Sequence, residues 1–237
     1  MDIIYNIIVG LVALIIGYLI GSFPTAIVIG KVFYKQDPRD FGSKNAGGTN
    51  AGRLWGKKAG LAVMIVDILK AVLSIWTVYL LINLTGLSEI IDLWNGGMPY
   101  YYLASLGSAI GHCWPIYANF RGGKAVSALA GMVVATSWFL SIFGLIFFIV
   151  LKNKKYVSLS SLIASATVTI ASWVMMIVHY FAPGFFNFGM WGAGSIFLPQ
   201  WTYSLVITII AIILVLRHRD NIKRLAKNEE NKVHWIK

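Results

Sequence analysis

The chain has 237 residues, 58% of them apolar and 12% charged, with a mean hydropathy of +0.73. A soluble domain carries about a quarter charged residues; here there is too little polar side chain to cover a water-facing surface, and a soluble fold is excluded. Twenty Lys+Arg against nine Asp+Glu give +11, a topology signal before it is a nucleic-acid signal, while the single cysteine, Cys113, excludes an internal disulfide and a Cys-rich metal cluster.

A membrane helix needs roughly 20 apolar residues to cross a hydrocarbon core of about 30 Å. Apolar runs occupy 3–23, 71–82 (reaching back through 59–70), 98–118, 125–151, 156–181 and 196–216. The first lacks a basic n-region and a small-x-small cleavage site, so it reads as a retained helix rather than a signal peptide. The connection 31–58 carries seven Lys+Arg and the segment 217–237 seven more. Arg121 and Lys124 precede the fourth run, and Lys152, Lys154 and Lys155 follow it. The connections 83–97 and 182–195 carry none. The positive-inside rule then places the N-terminus outside and the C-terminus inside.

That orientation needs an odd number of crossings, yet six runs are present. Cations at both ends of 125–151 hold both ends on the cytoplasmic side, so this run is expected to be a re-entrant pair of short helices bending near Thr136–Ser141. The expectation is an all-α, polytopic membrane protein with a single domain over 1–237. It has about seven helices, five full spans plus a re-entrant pair of half-spanning helices. The alternative is a full crossing at 125–151, with one of the last two runs not spanning. No internal repeat is apparent, which disfavours an inverted-repeat transporter.

Three polar segments interrupt this pattern, all on the cytoplasmic side. The first runs from Gly42 to Arg53 and opens onto Leu54 and the second helix. Its glycines, Gly47 among them, let the backbone approach an anion. Ser43, Asn45, Thr49 and Asn50 add neutral donors, and Arg53 offers a bidentate fork for phosphate near a helix start. It is not a Walker A loop, because the spacing to Gly56-Lys57-Lys58 is one residue short and the closing Ser/Thr is missing. The ordinary reading is a flexible loop with topogenic charge.

The second segment, Gly111 to Lys124, places His112 just before Pro115 at the end of an apolar run, so a helix stops there with a titratable group at the interface. Gly122-Gly123 then lets Lys124 and backbone N–H groups converge on an anion. By itself His112 would read as a core histidine bonded to a carbonyl, and Cys113 as inert packing. The third segment begins Arg217-His218-Arg219-Asp220-Asn221, followed by Arg224 and Glu230. If helix continues out of the last span, Arg217, Asn221 and Arg224 share one face, with His218 beside Asn221. Basic residues at a cytoplasmic helix end need no further reason, but His218 and Asn221 are not explained that way.

Asp67 and Lys70 lie one turn apart inside the second run and read as a structural pair that lowers the cost of insertion. Ser158 stands at the mouth of the next helix, where serine usually bonds its own backbone. His179 falls at the external end and is taken as unrelated. Together the polar segments are rich in Gly, Ser/Thr, Asn, Arg, Lys and His and poor in carboxylate pairs. That suits an anion, phosphate first, and neither a metal nor any other cofactor is expected. The apolar surroundings suit an acyl chain. No Gly-x-Ser-x-Gly elbow occurs, and no His is followed by Asp five residues on.

The three segments resemble the three motifs of the bacterial acyl-phosphate:glycerol-3-phosphate acyltransferase family of PlsY type. The first is matched by Ser43, Asn45, Gly47, Thr49, Asn50 and Arg53. The second is matched by Gly111, His112, Pro115, Phe120, Gly122, Gly123, Lys124 and Val126, and the third by Arg217, His218, Asn221, Ile222, Arg224, Leu225 and Glu230. The resemblance runs in order along nearly the whole chain. Lys44, Gly48, Arg121, Ala125 and Asn228 depart from the family pattern; three of these, Lys44, Ala125 and Asn228, replace glycines. The 182–195 connection also looks long for the family.

The resemblance implies an enzyme moving a fatty acyl group from acyl-phosphate to the sn-1 hydroxyl of glycerol-3-phosphate, giving lysophosphatidic acid and phosphate in phospholipid biosynthesis. Ser43, Thr49, Arg53 and Lys124, with main-chain N–H groups of the glycine pairs, would hold phosphate. His218 and Asn221 would hold the second head group. His112, His218 or a substrate phosphate would take the hydroxyl proton. The implied location is the bacterial inner (plasma) membrane with the site at the cytoplasmic face. The implied partners are the two substrates, membrane lipid and, transiently, the enzyme that makes the acyl-phosphate, with no nucleic acid. A transporter for a phosphate-bearing metabolite and a non-catalytic membrane scaffold are the competing classes.

Overall fold

The computed structural model describes residues 2–87, 100–182 and 200–233, and among them all regular structure is helical. The external connections expected at 83–97 and 182–195 lie largely outside the described residues. Helix α1 (Asp2–Gly21) stops at Pro24, resumes as α2 (Thr25–Ile29), and ends in a π-helical turn over Gly30–Tyr34. Helix therefore reaches well past the end expected at residue 23, because Pro24 lacks an N–H yet fits a first turn. The stop comes instead at Lys35, whose φ of 55° is left-handed.

Helix α3 (Gly48–Trp55) lies within the first polar segment, so the segment is not only a loop before the second span. Helix α4 (Lys57–Leu84) follows after Gly56. Helix α5 (Tyr100–Cys113) ends ahead of Pro115 and is followed by a 3-10 turn at Ile116–Ala118. Then come α6 (Val126–Thr136), α7 (Trp138–Gly144), α8 (Ile146–Lys154), α9 (Val157–Phe181), α10 (Trp201–Arg217) and α11 (Arg219–Ala226).

Three helical stretches, Ile4–Tyr34, Lys57–Leu84 and Val157–Phe181, are long and apolar enough to cross a membrane, and α10 with α11 forms a pair bent by 60°. Polarity is inside-out. On α4, Leu61, Ile65, Leu69 and Leu73 form an exposed apolar face at helical spacing, while Asp67, Lys70 and Ser74 are buried. Lipid solvates the first face, and the protein must satisfy the second. Helices α1 and α5 pack backbone to backbone. A Cβ on Gly17 would sit 1.9 Å from the Ala104 carbonyl oxygen, and one on Gly107 2.1 Å from that of Leu14, the small-residue contact that lets membrane helices close up.

The 125–151 run is broken within the expected stretch, but into three helices, α6, α7 and α8, rather than a pair, because a second joint falls at Leu145. Ser137 is extended (φ −150°), and its Oγ caps α7 by accepting from the Leu140 N–H at 3.2 Å. Both flanks of the run arrive at one end of the bundle: Lys124 meets Asn221 on α11, and the Lys155 carbonyl accepts from Val233 N–H at 2.9 Å.

Candidate active site

At that end of the bundle, residues from all three polar segments line one cleft of about 100 Å³ that opens to solvent. Ser43, Asn45, Gly47, Thr49, Asn50 and Arg53 come from the first segment, His112 and Lys124 from the second, and His218, Asn221 and Glu230 from the third. Ser158, at the start of α9, lines it too, and Met64, Val126, Phe147 and Val157 give it an apolar wall.

Lys124 Nζ donates to Asn221 Oδ1 at 2.5 Å, and Asn221 Nδ2 donates to Glu230 Oε1 at 2.8 Å. Ser158 Oγ donates to that same oxygen at 3.1 Å, while Arg224 Nε donates to Glu230 Oε2 at 2.8 Å. Burial would raise the Glu230 pKa, but the hydrogen bonds from Asn221 and Arg224 outweigh it and hold the carboxyl below its ordinary range. Arg53 Nη2 reaches the Asn231 carbonyl at 3.3 Å. The segment after α11 thus straps the first segment to α9 and α11. Burial, with Arg224, Arg217 and Arg53 nearby, pulls the Lys124 ammonium down to about 8.

The two cleft histidines are held differently. His218 stands at the joint between α10 and α11. Its Nδ1 lies 2.8 Å from the Leu214 carbonyl, which can only accept, so Nδ1 carries the proton and Nε2 is the acceptor. Burial lowers its pKa to about 4, so the ring is neutral at pH 7. His112 Nδ1 instead lies 3.7 Å from Asp67 Oδ1. Asp67 also lines the cleft, accepts from Thr25 Oγ1 at 2.8 Å, and pairs with Lys70 at 2.8 Å. Asp67 therefore does more than neutralise Lys70. The sequence signal was present, since a charge inside a membrane helix is a functional candidate by default.

Other residues shape the site from behind. The Gly123 N–H donates to the His112 carbonyl at 2.8 Å and the Gly122 N–H to that of Cys113 at 3.2 Å, so these N–H groups are engaged by protein rather than converging on an anion. The carbonyls concerned are the ones α5 leaves open at its end. Arg217 Nε bonds the Gly123 carbonyl at 3.1 Å, and the guanidinium lies 5.5 Å from the centre of the Trp114 ring. Neither Gly122 nor Gly123 lines the cleft, and Arg224 stands outside it as the partner of Glu230.

Asn50 lines the cleft, but its side chain is occupied by its own loop. Oδ1 accepts from Ser43 N–H at 2.9 Å, and Nδ2 donates to the Pro38 carbonyl at 2.7 Å. The helix of the third segment bends at His218 rather than running straight, yet Arg217, Asn221 and Arg224 still act on one side, reaching Gly123, Lys124 and Glu230 in turn. The three replaced glycines share a property: Lys44 (φ 55°), Ala125 (φ 63°) and Asn228 (φ 58°) are all left-handed.

Comparisons with known proteins agree with one another. A family model described as Glycerol-3-phosphate acyltransferase matches residues 11–228. The glycerol-3-phosphate acyltransferases of Staphylococcus aureus strains Newman and JH9 are each 36% identical over 228 residues, covering 95% of this chain and 98% of the relative. Among solved structures, the glycerol 3-phosphate form of PlsY, an integral membrane glycerol 3-phosphate acyltransferase, superposes with a TM-score of 0.72 at 26% identity, covering 94% of this chain and 95% of that one. The lysophosphatidic acid form gives 0.71 at 27% identity, covering 94% of each chain.

Proposed function

This chain belongs to the glycerol-3-phosphate acyltransferase family, and from that premise we propose that it moves a fatty acyl group from acyl-phosphate to the sn-1 hydroxyl of glycerol-3-phosphate. The products are lysophosphatidic acid and inorganic phosphate, and the step belongs to phospholipid synthesis. One observation carries the reading. Three segments far apart in the chain line a single cleft that combines cations and imidazoles with the apolar side chains of Met64, Val126, Phe147 and Val157. Both substrates are phosphates, one with an acyl chain, and this mixed lining matches that pair.

Phosphate is a good leaving group, so the protein has chiefly to hold the reactants together and meet developing charge. Arg53 and Lys124 supply fixed positive charge, and Ser43, Asn45 and Thr49 supply neutral polar groups beside the start of α3. His218 and Asn221 line the cleft beside Lys124 and suit the second head group. The hydroxyl proton has three candidate acceptors: His218 Nε2, His112 and a substrate phosphate. Glu230 and Arg224 keep Asn221 and Lys124 in place.

The same reading places the N-terminus outside, the C-terminus inside, and the cleft at the cytoplasmic face of the bacterial plasma membrane, with five full spans and a re-entrant segment over 125–151. Basic flanks at both ends of that run, Arg121 and Lys124 before it and Lys152, Lys154 and Lys155 after it, support this. The enzyme that makes the acyl-phosphate would meet the cleft from that side.

The test mixes purified protein with palmitoyl-phosphate and glycerol-3-phosphate and follows phosphate release. Release that requires both substrates is expected. Flux of a phosphate metabolite across liposomes without release would favour a transporter, and inactivity in both assays a scaffold.

A further inference from the structure

Ser43, Asn45, Thr49 and Arg53 reach the cleft from the first polar segment, and His112 and Lys124 from the second. The seam between those segments therefore decides how the two sets face each other. Ala46 packs there against Ala118 of the 3-10 turn and Ile27 of α2, all three buried. Its neighbours Asn45 and Gly47 both line the cleft. Ala118 is also gripped by Arg39, whose Nη1 donates to its carbonyl at 2.7 Å; that oxygen takes the Arg121 N–H as well, at 3.2 Å. Asp37 holds the rest of the guanidinium, with Nε donating to Oδ1 at 3.0 Å and Nη2 to Oδ2 at 2.7 Å. Pro38 stands between the two, and its carbonyl accepts from Asn50 Nδ2 on α3 at 2.7 Å. The Asp37–Arg39 unit is thus tied to α3 at one end and to the turn after α5 at the other.

Arg39 is one of the seven cations of 31–58, where topogenic charge is the ordinary reading. A cation that only orients the chain faces water or headgroups. The Arg39 side chain is 15% exposed, and its fork is engaged by protein acceptors. A lysine would orient the chain equally well, but an ammonium cannot offer a planar fork to a carboxylate and a further N–H to a carbonyl beyond it.

We infer that Arg39 is a positioning residue for acyl transfer: oriented by Asp37, it clamps the first polar segment to the turn after α5 and so sets how the two groups of cleft residues face each other. The inference rests on the acyltransferase reading. Arg39 is not among the cleft's lining residues, so its effect reaches the reaction only through the loop it holds. Each group of cleft residues is also tied within its own surroundings, Ser43 N–H to Asn50 and Lys124 to Asn221. Loosening the clamp therefore leaves each able to bind and spoils their alignment. A misplacement of about 1 Å can cost roughly a hundredfold in rate.

The test compares Arg39→Lys and Arg39→Met with the wild type, purified in detergent, for phosphate release from palmitoyl-phosphate and glycerol-3-phosphate. Both variants are expected to purify as monodisperse proteins, with kcat lowered at least about tenfold and both KM values within about threefold, the split of an interaction that matters in the transition state. Wild-type kcat in Arg39→Lys would reduce Arg39 to a charge and overturn the inference. A raised KM with kcat intact would make Arg39 a gatherer of substrate and overturn it too, and so would lowered thermal stability with unchanged kinetics. Asp37→Asn is the milder variant, since it leaves Arg39 its bond to Ala118. It should lower kcat less, and adding it to Arg39→Lys should cost nothing further, because both act through one clamp; losses that multiply would overturn that shared action. Amide hydrogen exchange needs no turnover. In the Arg39 variants, amides of 41–50 and 116–124 should exchange at least about tenfold faster while those of α9 keep their wild-type rates, and unchanged exchange would overturn the clamp. If the wild type releases no phosphate, the acyltransferase reading falls, and the exchange rates still decide whether Arg39 joins the two segments.

Discussion

The cleft end of the bundle and its middle both bury polar side chains, but in opposite ways. In the middle, Thr136 (1% exposed) gives its hydroxyl to the Met132 carbonyl one turn back, at 2.6 Å, and meets the Tyr203 hydroxyl at 2.7 Å. The Tyr203 ring packs on Tyr102 with centroids 4.8 Å apart. That set is uncharged and borders no part of the cleft. At the cleft end, Lys124, Asn221, Glu230, Arg224 and Ser158 bind one another across segments distant in sequence, and Arg53 reaches the strap that carries Glu230. Helices satisfy polar groups locally when the task is packing. They reach across the molecule when charges must be held in place beside a cavity.

If the contrast is functional, the largest effect falls on the imidazole. His112→Gln should lower kcat by at least about a hundredfold, the low end of what a general base contributes, while glycerol-3-phosphate binding measured by calorimetry stays near wild type. Retained turnover would remove His112 from the reaction.

Next comes Lys124. A lysine is a cation below its pKa, and this one lies at about 8 rather than the usual 10.5. The phosphate-holding charge is therefore full at pH 7 and lost as pH rises through about 8. kcat/KM, which reports the free enzyme, should fall about tenfold per pH unit above that point. Lys124→Arg keeps its charge at every accessible pH, so it should flatten the alkaline limb even if its plateau is lower. An unchanged limb would assign the ionisation to another group.

Arg53 ranks third. Arg53→Ala should raise the apparent KM for a phosphate substrate by about tenfold, the worth of a charge-assisted hydrogen bond at roughly 1.5 kcal/mol. The effect on kcat should be smaller. An unchanged KM would limit Arg53 to anchoring the strap at Asn231.

Much of this end was legible in the sequence because its chemistry is written contiguously. Gly42 to Arg53 and Gly111 to Lys124 each read as an anion-binding stretch without any knowledge of the other, while in the segment from Arg217 to Glu230 only His218 and Asn221 stood out from topogenic charge. Cations on both flanks of 125–151 likewise pointed to the break found at Ser137. What escaped was decided by partners far along the chain. Asp67 and Lys70 explain each other at one helical turn, and nothing local shows that the same carboxylate faces His112. The Gly122 and Gly123 N–H groups looked available until Pro115 ended α5 and left the carbonyls of His112 and Cys113 in need of donors. Asn50 looked like a ligand and turned out to hold its own loop.

A substitution in the middle should show the reverse profile. Tyr203→Phe removes one half of the hydroxyl pair with Thr136 and leaves the ring packed. Thr136 still has its own helix carbonyl, so the loss of stability should be about 1 kcal/mol, the net value of one hydrogen bond. Thermal unfolding in detergent should report it with kcat and both KM values unchanged. A change in activity would mean the two regions are coupled.

The smallest effect tests whether the cleft end contains positions that behave like the middle. Lys44 is exposed, and its φ of 55° is left-handed. A residue with a Cβ costs about 1–2 kcal/mol there, while glycine gives back roughly 0.4–1 kcal/mol through the freedom of the unfolded chain. Lys44→Gly should therefore stabilise by up to about 1.5 kcal/mol, a slight rise in Tm. Lys44→Ala keeps the backbone cost and removes the same charge. If the ammonium of Lys44 helps gather phosphate substrates, both variants should raise KM alike, and added salt should erase the difference from wild type, since an exposed charge is screened within about 10 Å at 0.1 M salt. If its role is only to occupy a turn, glycine raises Tm, alanine does not, and neither moves KM. The second outcome is expected, because Arg53 and Lys124 face the cleft and Lys44 is not among its lining residues.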